Sequence, residues 1–359
     1  MYSNFKNIKV KIYGASHADE VGVFLTGVPL GTDISRNEID NLLDRRRSSK
    51  SVWSTSRGEA DEPIFIKGIE NGKVVSEEIH IAIKNKTAKK SDYDNLIKKP
   101  RPSHADYPAM VKDGDAFLSG GGRFSGRMTA PICIAGGIAK GLLEEHGIKI
   151  GAYIAEIGGI SAVSYKNQDI RYEDIEKAHS KNLSILSDSD SEITEEIVRA
   201  KEEKDSLGGI IECIVYNMPV GVGDALYDGI EGRIAQSIFA IPAVKGVEFG
   251  AGFDISKMKG SKANDAYQYK DGNVVTLTNN NGGITGGMSN GMPITLRVAI
   301  KPTPSIGVLQ NTVDLESKKN TTIEIKGRHD ACIVPRAVPV VEAAVALAIY
   351  DCMLDDAFV

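Results

Sequence analysis

The spacing of hydrophobic and polar residues changes several times along the chain, and each change predicts an element. Ser35-Arg36-Asn37-Glu38 has the form of a capping box, and Ile39, Leu42 and Leu43 follow at helical spacing. The helix this predicts ends near Arg45, Arg46 and Arg47, where cations suit the negative end of the helix dipole. Residues 64–69 and 73–83, joined through Asn71-Gly72, read as a hairpin, because Asn-Gly supplies the positive φ of a tight turn. Residues 131–146 predict a buried helix stopped by Gly147, and 148–157 a strand. The polar stretch 165–206 predicts exposed helices, one of them over 191–204. Strands are expected at 209–218, 292–300 and 322–325, with a short helix at 228–239. A closing helix over 337–353 is apolar on nearly all sides, hence buried. Strands and helices do not alternate in βαβ units, which favours an α+β fold over a doubly wound sheet. No segment reads as a linker. Long Gly-rich irregular segments separate the elements, and such loops are where sites usually sit.

Composition narrows the function classes. The 359 residues are 42% hydrophobic and 25% charged, which excludes disorder as the main character. The apolar stretches 130–143 and 337–350 are interrupted by Lys140 and Glu342 and are shorter than the ~18–20 residues of a membrane span. The opening MYSNFKNIKVKIYG lacks the apolar core of a secretory signal. No membrane association is expected. Cys133, Cys213, Cys332 and Cys352 are far apart, which predicts neither a disulfide framework nor a zinc site and fits a reducing cytoplasm. A net charge of −5 argues against nucleic acid as partner. Within this acidic chain, Arg45, Arg46, Arg47, Arg101, Arg123, Arg127, Arg328 and Arg336 fall in a few short segments. Guanidinium forks match phosphate and carboxylate, so a local pocket for a small anion is expected, with ordinary surface pairing as the alternative.

Candidate chemistry lies in the loops. His17, His104 and His329 sit in polar loop contexts and are candidate proton carriers, whereas His80, His146 and His179 read as structural. Nothing resembles H-E-x-x-H or a Cys/His cluster, so no metal is expected. In Ser119-Gly120-Gly121-Gly122-Arg123-Phe124-Ser125-Gly126-Arg127, consecutive glycines allow backbone N–H groups to converge on an anion between two arginines. As a dinucleotide fingerprint this loop fails, for no strand precedes it and its glycine spacing is wrong. A second Gly-rich loop spans 279–291 and includes Gly286. Lys301-Pro302-Thr303-Pro304-Ser305 adds an ammonium and two hydroxyls after a strand, which suits a phosphate-bearing cofactor without saying which one. Asp330, beside Arg328 and His329, reads as an ionised base or orienter, or as a plain salt bridge.

Taken in order, the runs GASHADEVGVFLTGVP, LDRRR, RPSHADY, GGGRFSGRMTAP, PAVKGVEFGAGF, NNNGGITGGMSNGMPI, KPTPSI and GRHDACIVPRAVPVVEAAVA resemble the chorismate synthase family over about residues 10 to 350. The resemblance implies a single domain over 1–359, folded as a β-α-β sandwich with helices between antiparallel sheets. It implies a homotetramer that eliminates phosphate from 5-enolpyruvylshikimate 3-phosphate to give chorismate, using reduced FMN without net redox. By that resemblance His17, His104, Asp330, Ser16 and Ser125 are catalytic. Arg45, Arg46, Arg127 and Arg336 face the substrate. Arg123, Phe124, Ser125, Pro242, Ala243, Gly286, Lys301, Pro302, Thr303, Pro304, Ser305 and Arg328 hold the flavin. The chain departs from the family in places. Its first motif usually reads G-E-S-H-G, where Ala15 and Ala18 stand here. Pro242 replaces an Asn found in some members, and Val52 replaces an arginine that some associate with NADPH. The Val52 change points to an external reductase as the source of reduced flavin. Two other classes stand beside it: a non-catalytic flavin- or anion-binding protein of this descent, and a nicotinamide oxidoreductase, which the failed fingerprint disfavours.

Overall fold

The computed structural model describes residues 1–47, 61–85, 98–114, 119–181, 183–186, 190–325 and 330–355. Two antiparallel sheets enclose a layer of helices. The smaller sheet has the spatial order Lys9–Gly14, Glu20–Thr26, Glu78–Lys84, Ile64–Lys67. The larger runs Val244–Phe249, Ile294–Ile300, Gly209–Tyr216, Lys149–Ile157, Ile160–Ser161. The helices are α1 (Arg36–Arg46), α2 (Asp106–Asp113), α3 (Thr129–Glu145), α4 (Tyr172–His179), α5 (Asp190–Glu202), α6 (Ile230–Phe239), a single turn α7 (Gly260–Ala263) and α8 (Val334–Asp355). α3 packs on the smaller sheet, α8 on the larger, and the two helices pack on each other with α1 alongside. This is the α+β sandwich that the resemblance implied.

Side-chain patterns account for the layers. Val21, Val23 and Leu25, with Ile79, Ile81 and Ile83 on the next strand, point inward at period two. Their outward neighbours Phe24 and His80 stack at 4.1 Å, and Tyr13 hydroxyl lies 2.8 Å from His80 Nε2, so this histidine is structural. Lys149–Ile157 is buried on both faces, because α8 covers one and α4 the other. α3 is buried along nearly all its length, and Gly136 and Gly137 explain how it fits. A Cβ on Gly136 would stand 2.4 Å from Ala343 Cα of α8, and one on Gly137 2.7 Å from Ile39 Cα of α1. One apolar core runs from Ile8 to Met353.

Three expectations need adjustment. Asn71 and Gly72 do turn with φ of 50° and 80°, but they close only the short pair Ile69–Glu70 and Lys73–Val74. The longer ladder between Ile64–Lys67 and Glu78–Lys84 is interrupted by a bulge after Phe65. The polar helices at 165–206 are not simply exposed: Tyr172, Ile175 and Ala178 of α4 and Ile193, Ile197 and Ala200 of α5 are buried, a stripe that the surrounding charge obscured. The late strand lies at Lys319–Ile323 and pairs with Gln310–Asp314. α8 is apolar enough to span a membrane by composition, yet 94% of its apolar window is buried inside the protein.

Candidate active site

A cavity of about 730 Å³ opens where α1 and α6 end and α3 and α8 begin. Two electropositive helix starts and two electronegative helix ends meet there, so the side chains decide the sign of the cavity. Five arginines line it, Arg46, Arg101, Arg123, Arg127 and Arg336. Arg46, in the last turn of α1, is 3% exposed. It donates from Nε to Thr129 Oγ1 at 2.9 Å, from Nη1 to Asp61 Oδ2 at 2.5 Å and from Nη2 to the Gly126 carbonyl at 3.1 Å. Burial lowers its pKa, Asp61 opposes that, and the nearby Arg336 and Arg127 reinforce it. Arg127 bonds Asp61 through Nη1 and Asn85 Oδ1 through Nε at 2.9 Å. Arg336, in the first turns of α8, donates to the Arg46 carbonyl at 3.0 Å and to Asp330 Oδ2 at 2.7 Å. Asp330 therefore takes Arg336 as a partner six residues on, which its position beside Arg328 did not indicate.

Both candidate histidines of the described residues line the same cavity. His17 sits in the loop between Lys9–Gly14 and Glu20–Thr26, the first two strands of the smaller sheet. Ser16 N–H donates to the Gly122 carbonyl at 3.3 Å, and Asn85 Nδ2 donates to the carbonyls of Ala15 at 3.1 Å and Ala18 at 2.7 Å. Asn85 thus ties the His17 loop to Arg127. His104 lies before α2. Its Nδ1 is 2.6 Å from Asp106 Oδ1, while Arg101 clamps the same carboxylate from Nε at 2.7 Å and Nη2 at 2.8 Å. Burial pushes the Asp106 carboxyl up, but hydrogen bonds from Arg101 and His104 outweigh it and hold the group well below the usual carboxylate range. An ionised Asp106 at Nδ1 fixes the ring so that Nε2 is the edge next to Gly121, where an added Cβ would stand 3.8 Å away.

The remaining wall comes from the loops. Ser125, Arg123 and Phe124 line it, and the Arg123 guanidinium lies 4.7 Å over the Phe124 ring while pairing with Asp113 at 2.6 Å. Pro242 and Ala243 line it too, and Ala243 holds a φ of 75°. A non-glycine residue there is uncommon and frequent at functional sites. The Ala243 carbonyl accepts from Lys301 N–H at 2.9 Å, and Lys301 Nζ donates to the Ser103 carbonyl at 2.6 Å, joining three loops. Burial, then the charge of Lys245, lowers the Lys301 pKa. Thr303, Pro304 and Ser305 complete the wall, and Ser305 Oγ accepts from Arg101 Nη1 at 3.0 Å. Ser16 Oγ and Thr303 Oγ1 are buried with no hydrogen-bond partner among the described residues. Buried hydroxyls are normally satisfied, so two orphans on one cavity fit a polar ligand. The volume lies within the range of cofactor sites.

Three of the described sequence candidates stand apart. Arg45 does not line the cavity; it pairs with both oxygens of Glu342 of α8. Gly286 is an exposed hairpin tip with φ of 65°. Pro302 is exposed and lies over Gly208. Arg328 lies outside the described residues, as do His329 and Val52. The structure adds Asp61, Asn85 and Asp106 as supports of the site. RPSHADY did contain Asp106, and its carboxylate two residues past His104 was the available signal. Asp61 offered none, since its two partners are distant in the chain.

A family model described as chorismate synthase matches residues 8–354. A chorismate synthase of Dehalococcoides mccartyi is 46% identical over 350 residues, covering 97% of this chain and 95% of its own. One of Thermococcus kodakarensis is 42% identical, covering 97% and 96%. A solved structure described as chorismate synthase superposes with a TM-score of 0.76 at 28% identity, covering 98% of this chain and 93% of that one. Agreement of this extent, in sequence and in fold, places the chain in the chorismate synthase family.

Proposed function

We propose that this enzyme is a carbon–oxygen lyase that removes phosphate from 5-enolpyruvylshikimate 3-phosphate by anti-1,4-elimination, giving chorismate for aromatic amino acid biosynthesis, with reduced FMN as cofactor. The observation that carries the reading is the gathering of Arg46, Arg127, Arg336, His17, His104 and Asp330 around one cavity. A substrate with one phosphate and two carboxylates needs several fixed cations, and the first three residues supply them. Bound reduced FMN would contribute transient electron density with no net oxidation. Arg123, Phe124, Ser125, Pro242, Ala243, Lys301, Thr303, Pro304 and Ser305 would hold it.

The protein's own groups then move protons. His17 donates to the departing phosphate oxygen. His104, with Nδ1–H held against Asp106, delivers a proton from Nε2 as the imidazolium and is left as the neutral ring. Asp330, oriented by Arg336, acts as base, and the hydroxyls of Ser16 and Ser125 support these transfers. Closure around the ligands excludes water and oxygen.

The same reading makes the chain one domain, assembled as a homotetramer in the cytoplasm, with reduced flavin from an external reductase rather than from its own NADPH oxidation. Exposed Leu226, Tyr227, Phe253 and Tyr269 support an assembly surface. The test is anaerobic incubation with reduced FMN and the enolpyruvyl substrate. Phosphate release without net flavin oxidation is expected; tight flavin binding without turnover would instead identify a non-catalytic binding protein. His104→Ala should slow turnover roughly 10- to 1000-fold with the fold intact, the range for a lost acid–base group. Wild-type rates in that variant would remove His104 from the reaction.

A further inference from the structure

Asp61 is a fully buried carboxylate that takes no part in the proton transfers above and does not itself line the cavity. It stands behind two residues that do. Its Oδ2 accepts from Arg46 Nη1 at 2.5 Å and its Oδ1 from Arg127 Nη1, so each oxygen serves one guanidinium. Its backbone holds a φ of 46°, a conformation that aspartate tolerates better than most residues. The other bonds on the pair hold both guanidiniums at fixed angles. Arg46 is bound by Thr129 and Gly126, and Arg127 by Asn85. Three of the five N–H groups of Arg46 are thereby used, and the other two have no partner among the described residues. Two guanidiniums brought this close in a buried place repel strongly unless a negative charge lies between them.

We propose that Asp61 is a positioning residue for substrate recognition, a built-in counter-anion that holds Arg46 and Arg127 side by side with their ligand edges toward the cavity. This rests on the reading that these two arginines bind the anionic substrate. A carboxylate fixed behind the arginines costs no reorganisation when an anion arrives in front of them. Without it the two cations separate, and the receptor loses its shape before it loses its charge.

The test exploits the size of the missing group. Asp61→Ala leaves a carboxylate-sized gap between two guanidiniums, which formate fills. The variant should show a KM for the enolpyruvyl substrate raised about 10- to 100-fold, the usual scale for a misplaced binding group, with kcat and flavin affinity little changed. Added formate should lower that KM and raise the melting temperature of the variant while leaving the wild type unaffected. The melting readout needs no turnover, so it stands even if the proposed reaction fails. A KM that formate leaves high overturns the proposal, and so does formate that restores stability alone. Should Asp61→Ala not fold, Asp61→Asn keeps the shape and loses the charge. Its KM should rise without formate rescue, and a wild-type KM there would overturn the proposal.

Discussion

Asp106 illustrates how a side chain gains a role from its partners. The carboxylate touches His104 Nδ1 at 2.6 Å and is clamped by Arg101, so it orients the ring without facing the cavity. Asp106→Asn should keep the fold but permit the wrong ring tautomer, lowering turnover roughly 10- to 100-fold, within the span of a lost acid–base contribution. Nitrogen chemical shifts of the His104 ring should show the proton redistributed between Nδ1 and Nε2; unchanged shifts would refute the orienting role. Arg336→Ala should weaken substrate binding far more than flavin binding, since its guanidinium joins Arg46 and Asp330. Equal losses, measured by titration of each ligand, would contradict the assignment. Residues whose side chains carry their own chemistry in a distinctive local motif (His17, His104, Arg127) are legible in the sequence. Asn85 carries no such signal, and its hydrogen bonds to Ala15, Ala18 and Arg127 arise only through the fold.

The helices carry the site because their ends converge, and two devices set their spacing. Gly136 and Gly137 let α3 lie against α8 and α1 at backbone distance. Gly136→Ala would gain helix propensity of about 1 kcal/mol, yet the added methyl overlaps Ala343 backbone and costs about 1–3 kcal/mol. Net destabilisation is therefore expected, read as a lower melting temperature with disturbed turnover; a stabilised variant would show that the helices simply part. The second device is Glu342 of α8, fully buried, which bonds Arg45 of α1, His179 at 3.1 Å and the Ala152 N–H at 2.9 Å. Burial pushes its pKa up, but Arg45 and His179 outweigh that and hold it well below the usual range. Arg45 thus belongs to the support of the cavity rather than to its wall.

Across the assembled chain, the depressed carboxylates set the response to acid. Asp106 and Glu342 both have folded pKa values below their unfolded ones. Their contribution to stability is complete above the ordinary carboxylate pKa of about 4 and is lost as pH falls from there toward the folded values. The melting temperature should fall steeply below about pH 4, and Glu342→Gln should flatten that slope while removing about 3–5 kcal/mol at neutral pH. A variant with an unchanged acid profile would exclude Glu342 as a source. For the proposed tetramer, light scattering should return about four times the 38.6 kDa of one chain; a monomer would leave the exposed Leu226, Tyr227 and Phe253 without a cover.

Local information settled much of this molecule. The Gly147 stop, the all-apolar closing helix and the clustered arginines follow from neighbours within a few residues, and motif order along the chain was enough to indicate the family. Tertiary contact decided the rest. Whether Arg45 or Arg46 faces the cavity depends on which of two adjacent guanidiniums meets Glu342, some 300 positions away. That Asp61 joins Arg46 to Arg127 follows from the same cause: a buried charge takes its partners from whatever the fold brings near, and spacing along the chain carries no record of that.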